Sequence, residues 1–206
     1  MIIFNIIKKT AIFVAKKYYK INYYNTEKIP KNHGCLICCN HISNWDPVLI
    51  YGPIKTKIYF MAKNELFKFR PVGWILKQLG AFPVKRGKKD MDSINFTIDL
   101  INKNKFVVIF PEGTRSKTGE FLKPKSGATM VAYKTGANIL PVRIIYYNKN
   151  KFRSRVDIIY GDLISPESLN ISDGSLKDLK SASLFLMESI KNLKPNKKQE
   201  AENFGT

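Results

Sequence analysis

The residues best suited to proton transfer in this chain stand together in Asn40-His41-Ile42-Ser43-Asn44-Trp45-Asp46. His41 leaves the end of an apolar run, Cys35-Leu-Ile-Cys-Cys39, that reads as a short buried strand. Asp46 follows five residues later. On one continuous helix, side chains at that spacing point roughly 140° apart. On a loop that turns back they meet, the carboxylate holding one ring nitrogen and leaving the other free as a base. The competing reading is a plain loop histidine followed by a helix start, with Asp46 as cap and Pro47 in the first turn. His33, the other histidine, has no carboxylate at a comparable loop spacing.

A second polar loop, Pro111-Glu112-Gly113-Thr114-Arg115-Ser116, follows the apolar run Lys105–Phe110. Gly113 permits close backbone approach, and Thr114 and Arg115 offer donors suited to a phosphate. A third feature is the basic run Lys85-Arg86-Gly87-Lys88-Lys89. Taken singly, the second loop reads as a strand-to-helix turn and the basic run as a solvated face. Their combination with the histidine loop in one small domain points to chemistry on an anionic substrate.

The elements that must position these loops alternate. Strands are expected at 34–39, Lys57–Met61, Gly80–Val84, Lys105–Phe110, Ile139–Tyr147 and Arg155–Tyr160. Between them helices are expected from Asp46, over Lys63–Leu79 with a break at Pro71, over Asp92–Asn102, over Pro124–Thr135 up to Gly136, and over Ser175–Leu193. Such alternation predicts an α/β fold with a mostly parallel central sheet flanked by helices. Sheets of that kind bind ligands outside the carboxyl ends of their strands, which is where the two polar loops lie.

At 206 residues the chain is one domain with room for a proper core, and its 44% hydrophobic content is ordinary. The formal charge of +19 is not, and it implies an anionic partner. The three cysteines all fall within Cys35–Cys39, which argues against a disulfide framework and for a reducing compartment. On a strand Cys38 faces away from Cys35 and Cys39, so no metal site is expected there. Residues 1–22 read as a basic amphipathic helix. Ile3, Phe4, Ile7, Ala11, Val14 and Tyr18 share one face, and Asn5, Lys9, Lys16 and Lys20 lie opposite. Its lysines interrupt the apolar run too early for a bilayer span. It is therefore expected to lie in a membrane interface, with packing on the protein's own core as the alternative. Residues 23–194 form the main domain, and 195–206 read as a disordered tail.

Asn40-His41-x-Ser43-x-x-Asp46 resembles the first signature block of the glycerolipid acyltransferases, in particular the 1-acyl-sn-glycerol-3-phosphate acyltransferases. Gly80-x-Phe82-x-x-x-Arg86 resembles their second block, Phe110-Pro-Glu-Gly-Thr-Arg-Ser116 their third and Leu140-Pro141-Val142 their fourth. Ala62-Lys63-x-Glu65-Leu66-Phe67, followed by Pro71 and Gly73, and Val156-x-Ile158 leading to Gly161 are also similar to the family. The likeness runs from about residue 25 to 165 with the blocks in order. Pro83 departs from it, standing where an aliphatic is expected.

The resemblance implies transfer of an acyl group from a thioester, acyl-CoA or acyl-carrier protein, to the sn-2 hydroxyl of lysophosphatidic acid, giving phosphatidic acid without a cofactor. Within it His41 is the general base and Asp46 its orienting partner, similar in logic to the histidine–aspartate half of a protease triad. The nucleophile is the acceptor's own hydroxyl, and Ser43 fixes the turn. Arg86 and Arg115 are expected to hold the phosphate, and Gly113 and Thr114 to add donors. Glu112 is expected to fix Arg115 or a glycerol hydroxyl. An enzyme of this kind is expected on the cytoplasmic face of a membrane, peripheral or monotopic, on an anionic surface. The alternatives are acylation of glycerol 3-phosphate or another lysophospholipid, or a non-catalytic basic module for membrane or nucleic acid. No nucleic-acid-binding motif accompanies the charge, so no nucleic-acid partner is expected.

Overall fold

Seven strands hydrogen-bond into one sheet in the order β1-β7-β6-β2-β5-β3-β4. In chain order they are β1 (Tyr19–Tyr24), β2 (Leu36–Cys39), β3 (Ile58–Lys63), β4 (Ala81–Val84), β5 (Phe106–Ile109), β6 (Ile139–Tyr146) and β7 (Ser154–Tyr160). Neighbours are parallel except β6 and β7, which form an antiparallel pair. The computed structural model describes residues 2–31, 33–84 and 91–195.

Helices cover both faces. α1 (Ile2–Tyr18), α2 (Asp46–Ile50) and α3 (Arg70–Gln78) share one apolar cluster with the sheet, and α4 (Met91–Asn102), α5 (Gly127–Thr135) and α6 (Leu176–Asn192) share the other. This double burial explains why the central strands are runs of apolar residues rather than alternating ones. On β2, Ile37 and Cys39 pack into the first cluster, and Leu36 and Cys38 into the second. All three cysteines are buried and free, and burial pushes the Cys35 thiol up to about 12.

Four local expectations are revised. The N-terminal helix ends at Tyr18 rather than near residue 22, because Tyr19–Tyr24 pairs in parallel with β7 as an edge strand. The helix expected over Lys63–Leu79 is two pieces, a 3-10 turn at Asn64–Phe67 and then α3, with Pro71 in the first turn of the second. A proline there displaces no intrahelical bond. Pro83 is accommodated because β4 is the other edge of the sheet, where a missing N–H costs little. Asp46 opens α2 without capping it, since no side-chain cap bond is made there.

The N-terminal helix divides its apolar residues between core and surface. Phe4, Ile7, Ile12 and Ala15 pack on the core, while Ile2, Ile3, Ile6, Phe13 and Val14 are exposed. Phe4 and Ile7 therefore do not belong to an outward face. Lys8 also lies on the packed side, its ammonium donating to the Ile54 carbonyl beside the Tyr51 ring. Burial lowers the Lys8 pKa from its ordinary value. No helix of the described residues is long and apolar enough to cross a membrane.

Where β2 ends, the buried Asn40 side chain continues the sheet's pairing. Its Nδ2 donates to the Ile144 carbonyl at 2.9 Å, and its Oδ1 accepts from the Ile144 N–H at 2.8 Å. This amide fixes where the chain leaves the sheet, one residue before His41. Asn40→Ala leaves both Ile144 groups unpaired and should lower stability by about 2–4 kcal/mol. Urea denaturation measures it, and a loss below about 0.5 kcal/mol would contradict the assigned role.

Candidate active site

The loop leaving β2 turns back on itself because one carboxylate collects its donors. Asp46 is fully buried, and its Oδ2 accepts the N–H groups of Ile42 at 2.7 Å and Ser43 at 2.8 Å. The same oxygen lies 2.7 Å from His41 Nδ1. An oxygen already accepting two backbone donors is an acceptor toward the ring as well, so Nδ1 carries the proton and Nε2 keeps its lone pair. The other oxygen, Oδ1, accepts from the Tyr146 hydroxyl at 2.7 Å. Burial, followed by the adjacent Asp46 charge, pushes the Tyr146 phenol far above its ordinary value, so it remains a donor. Ser43 fixes the turn as expected, its hydroxyl accepting the Trp45 N–H at 3.3 Å.

The imidazole itself is held flat. It stacks on Phe110 with centroids 3.9 Å apart and planes 17° apart. Its backbone is pinned from β5, the Ser116 N–H donating to the His41 carbonyl at 2.7 Å. From the end of β6, Lys149 Nζ donates to the Ile42 carbonyl at 2.7 Å. Two strands flanking β2 in the sheet thus fix the loop from opposite sides.

Glu112 departs from its expected role. It is buried, with Oε1 accepting the His41 N–H at 2.9 Å and Oε2 the Leu122 N–H at 3.1 Å. Each oxygen holds a backbone donor, so the residue clamps two loops, and no hydrogen bond or ion pair joins it to Arg115 among the described residues. Desolvation raises its pKa, and the two amides and His41 offset part of that rise.

Beside the His41 ring opens a cavity of about 640 Å³ between the sheet and α4 and α5. His41, Lys63, Ser93, Thr114, Lys125 and Ser126, with the Gly113 backbone, supply its polar lining, and Met61, Val84, Ile94, Val108, Ile109 and Met130 much of its apolar lining. Gly113 has a φ of +67°, and a Cβ there would come within 3.0–3.1 Å of the outer Lys125 side chain. Glycine thereby serves both the left-handed turn and the approach of that lysine.

The fold brings His41, Asp46, Glu112, Gly113 and Thr114 together. Arg115 is exposed on the same loop and is not among the residues lining the cavity. Arg86 lies outside the described residues. Sequence reasoning missed Lys63, Lys125 and Tyr146. Lys63 stood in a recognised block with no role attached. Lys125 had a usable signal, a cation just before the small-residue helix, whereas nothing local marked Tyr146, which lies 100 residues from its partner.

A largely parallel α/β sheet thus sets a histidine–carboxylate pair beside a largely apolar cavity that also carries Lys63 and Lys125. The chain belongs to the Acyltransferase family, whose model matches residues 20–145. It is similar to the 1-acyl-sn-glycerol-3-phosphate acyltransferase of Bacillus subtilis (strain 168), 37% identical over 123 residues. That match covers 59% of this chain and 60% of the relative. The enzyme of the same name from Streptococcus pneumoniae (strain ATCC BAA-255 / R6) is 33% identical over 149 residues, covering 69% of this chain and 55% of the relative. The matched part thus spans under two thirds of either relative. Among solved structures, the 1-acyl-sn-glycerophosphate (LPA) acyltransferase PlsC from Thermotoga maritima superposes with a TM-score of 0.73 at 26% identity. It covers 91% of this chain and 76% of that one.

The Glu112 clamp predicts a pH signature. Its folded pKa lies above its unfolded value, so between the two the folded state binds more protons and stability falls as pH rises. Urea denaturation from about pH 4 to about pH 7 should show this decline. Glu112→Gln should remove that part of the slope. It also turns one N–H acceptor into a donor, which should lower stability by about 1–3 kcal/mol. An unchanged slope would contradict the clamp.

Proposed function

We propose that this protein transfers a fatty acyl group from an acyl thioester, acyl-CoA or acyl-carrier protein, to the sn-2 hydroxyl of 1-acyl-sn-glycerol 3-phosphate, forming phosphatidic acid. The observation that carries this reading is the His41–Asp46 pair beside a cavity whose lining is mostly apolar and includes Lys63 and Lys125. An acyl chain fits the apolar lining, and a phosphate fits the cations. The names of the Bacillus and Streptococcus relatives support lysophosphatidate as the acceptor, whose one free hydroxyl is at sn-2.

The acceptor hydroxyl gives its proton to His41 Nε2 as its oxygen attacks the thioester carbonyl carbon. The Asp46 carboxylate stabilises the resulting imidazolium through Nδ1–H. Collapse of the tetrahedral intermediate breaks the carbon–sulfur bond, and the imidazolium returns the proton to the departing thiolate. No acyl-enzyme forms, because the acceptor is itself the nucleophile. Thr114, Lys63 and Lys125 hold the acceptor phosphate from within the cavity, with Arg115 as an outer cation, and Arg86 is assigned to the same phosphate on the resemblance alone. The exposed stripe of α1, with Lys9, Lys16 and Lys17, holds the protein monotopically on the cytoplasmic leaflet.

The test is product analysis with lysophosphatidate or glycerol 3-phosphate, each given with acyl-CoA and with acyl-carrier protein. Phosphatidic acid from lysophosphatidate is expected, and acylation of glycerol 3-phosphate alone would overturn the assignment. His41→Ala should cut turnover by ~10²–10⁴ with the fold intact. Asp46→Asn should cut it less, and near-normal turnover in folded His41→Ala protein would end the mechanism.

Replacing Lys125 by Ala removes a charge-assisted contact of roughly 1.5–3 kcal/mol. Steady-state kinetics should show a raised KM for lysophosphatidate and little change for the donor. A defect confined to the donor would reassign the lysine.

A further inference from the structure

We propose that α3 and the turn leading into it form a second contact with an anionic bilayer, beside α1. The proposal rests on the membrane-surface reading of α1 and extends it to a part of the chain that the reading left unassigned. α3 packs inward through Gly73 and Leu76, with Phe67 of the preceding turn in the same cluster. Its other side is apolar and open. Phe69 is 66% exposed and Trp74 51%, and Leu66, Val72 and Ile75 are exposed with them. α1 and α3 touch, both packing on the cluster that holds Phe4, Ile7 and Leu76. The outward apolar residues of the two helices therefore belong to one side of the sheet. Large apolar patches of this kind on a soluble surface mark interaction sites.

Charge selects the occupant. Neither helix contains an acidic residue, and the one in the turn before α3, exposed Glu65, is paired with Lys63 at 3.6 Å; exposed Lys68, Arg70 and Lys77 flank the α3 patch as Lys9, Lys16 and Lys17 flank that of α1. A second copy of a chain with 35 basic and 16 acidic residues is a poor match for that surface. An anionic lipid surface is a good one. Tryptophan suits the boundary between headgroups and acyl chains, where an amphipathic ring finds both environments.

The test uses the full chain and vesicles of phosphatidylcholine with and without phosphatidylglycerol. Phe69→Ser with Trp74→Ser should reduce partitioning to the anionic vesicles about tenfold or more. Cooperative unfolding and acyl transfer to detergent-dispersed lysophosphatidate should be unchanged. Brominated phospholipids should quench the wild-type fluorescence, and Trp74→Phe, which preserves binding, should remove most of that quenching. Quenching that persists in Trp74→Phe, or equal partitioning of the double variant, would overturn the proposal. So would equal binding to neutral vesicles, or a dimer dissolved by the double change in a protein that binds no vesicles. Vesicle binding is read without substrate, so a failed acyltransferase assay leaves this test standing. Full activity in detergent with unaltered vesicle binding of the variant would sink this proposal alone. An Ile6→Ser and Phe13→Ser variant tests α1 separately. Adding the α3 changes to it should weaken binding further.

Discussion

The buried Asp46 carboxylate is the interaction on which the rest of the structure depends. A charged group with no solvent exposure is costly to bury unless its oxygens are occupied, and here four donors occupy them: two backbone amides, the His41 ring and the Tyr146 hydroxyl. Those bonds are also what bend the loop. Without the carboxylate the amides of Ile42 and Ser43 would face a buried site unpaired, and the loop would have no reason to turn His41 back over Asp46.

The sheet supplies the frame that makes this bend reproducible. β2 is central, with β6 on one side and β5 on the other, and both neighbours reach the loop where it leaves the sheet. From β6 come the Ile144 backbone that holds Asn40, the Tyr146 hydroxyl on Asp46, and, just beyond it, Lys149 on Ile42. From the β5 side come the Phe110 ring under His41, the Glu112 carboxylate on its N–H and the Ser116 N–H on its carbonyl. The loop is thus fixed through its backbone as much as through its side chains. That fixation leaves Nε2 without a hydrogen-bond partner among the described residues, on a ring that lines the cavity.

Much of this was legible in the sequence, for physical reasons that differ from place to place. The central strands were readable because burial on both faces demands unbroken apolar runs, as in Phe106–Ile109. The His41–Asp46 pairing was readable only in part, because the five-residue spacing allowed a helix cap as well as a pair, and the ordered blocks around it favoured the pair. β1 was not readable. Tyr19–Tyr24 follows a helix of similar polarity without a break, and only its pairing with β7, far along the chain, makes it a strand. The Glu112 clamp was not readable, because a carboxylate beside Gly-Thr-Arg suggests substrate binding and its burial against two loop amides is a tertiary fact. α1 was half legible. Its apolar arc is too wide for one interface, and the split between core and surface depends on where α2 and α3 lie. Lys8, with its ammonium on the Ile54 carbonyl, shows that even a charged residue can mark the packed side.

The central claim is that Asp46 fixes the tautomer of His41, with the proton on Nδ1 and a free pair on Nε2. Nitrogen-15 NMR of the imidazole rings measures it directly, and with only two histidines a His33→Asn protein leaves one ring to observe. The account predicts a protonated Nδ1 with a strongly deshielded proton and an unprotonated Nε2, both altered in Asp46→Asn. A ring protonated on Nε2, or a spectrum indifferent to Asp46→Asn, would contradict it.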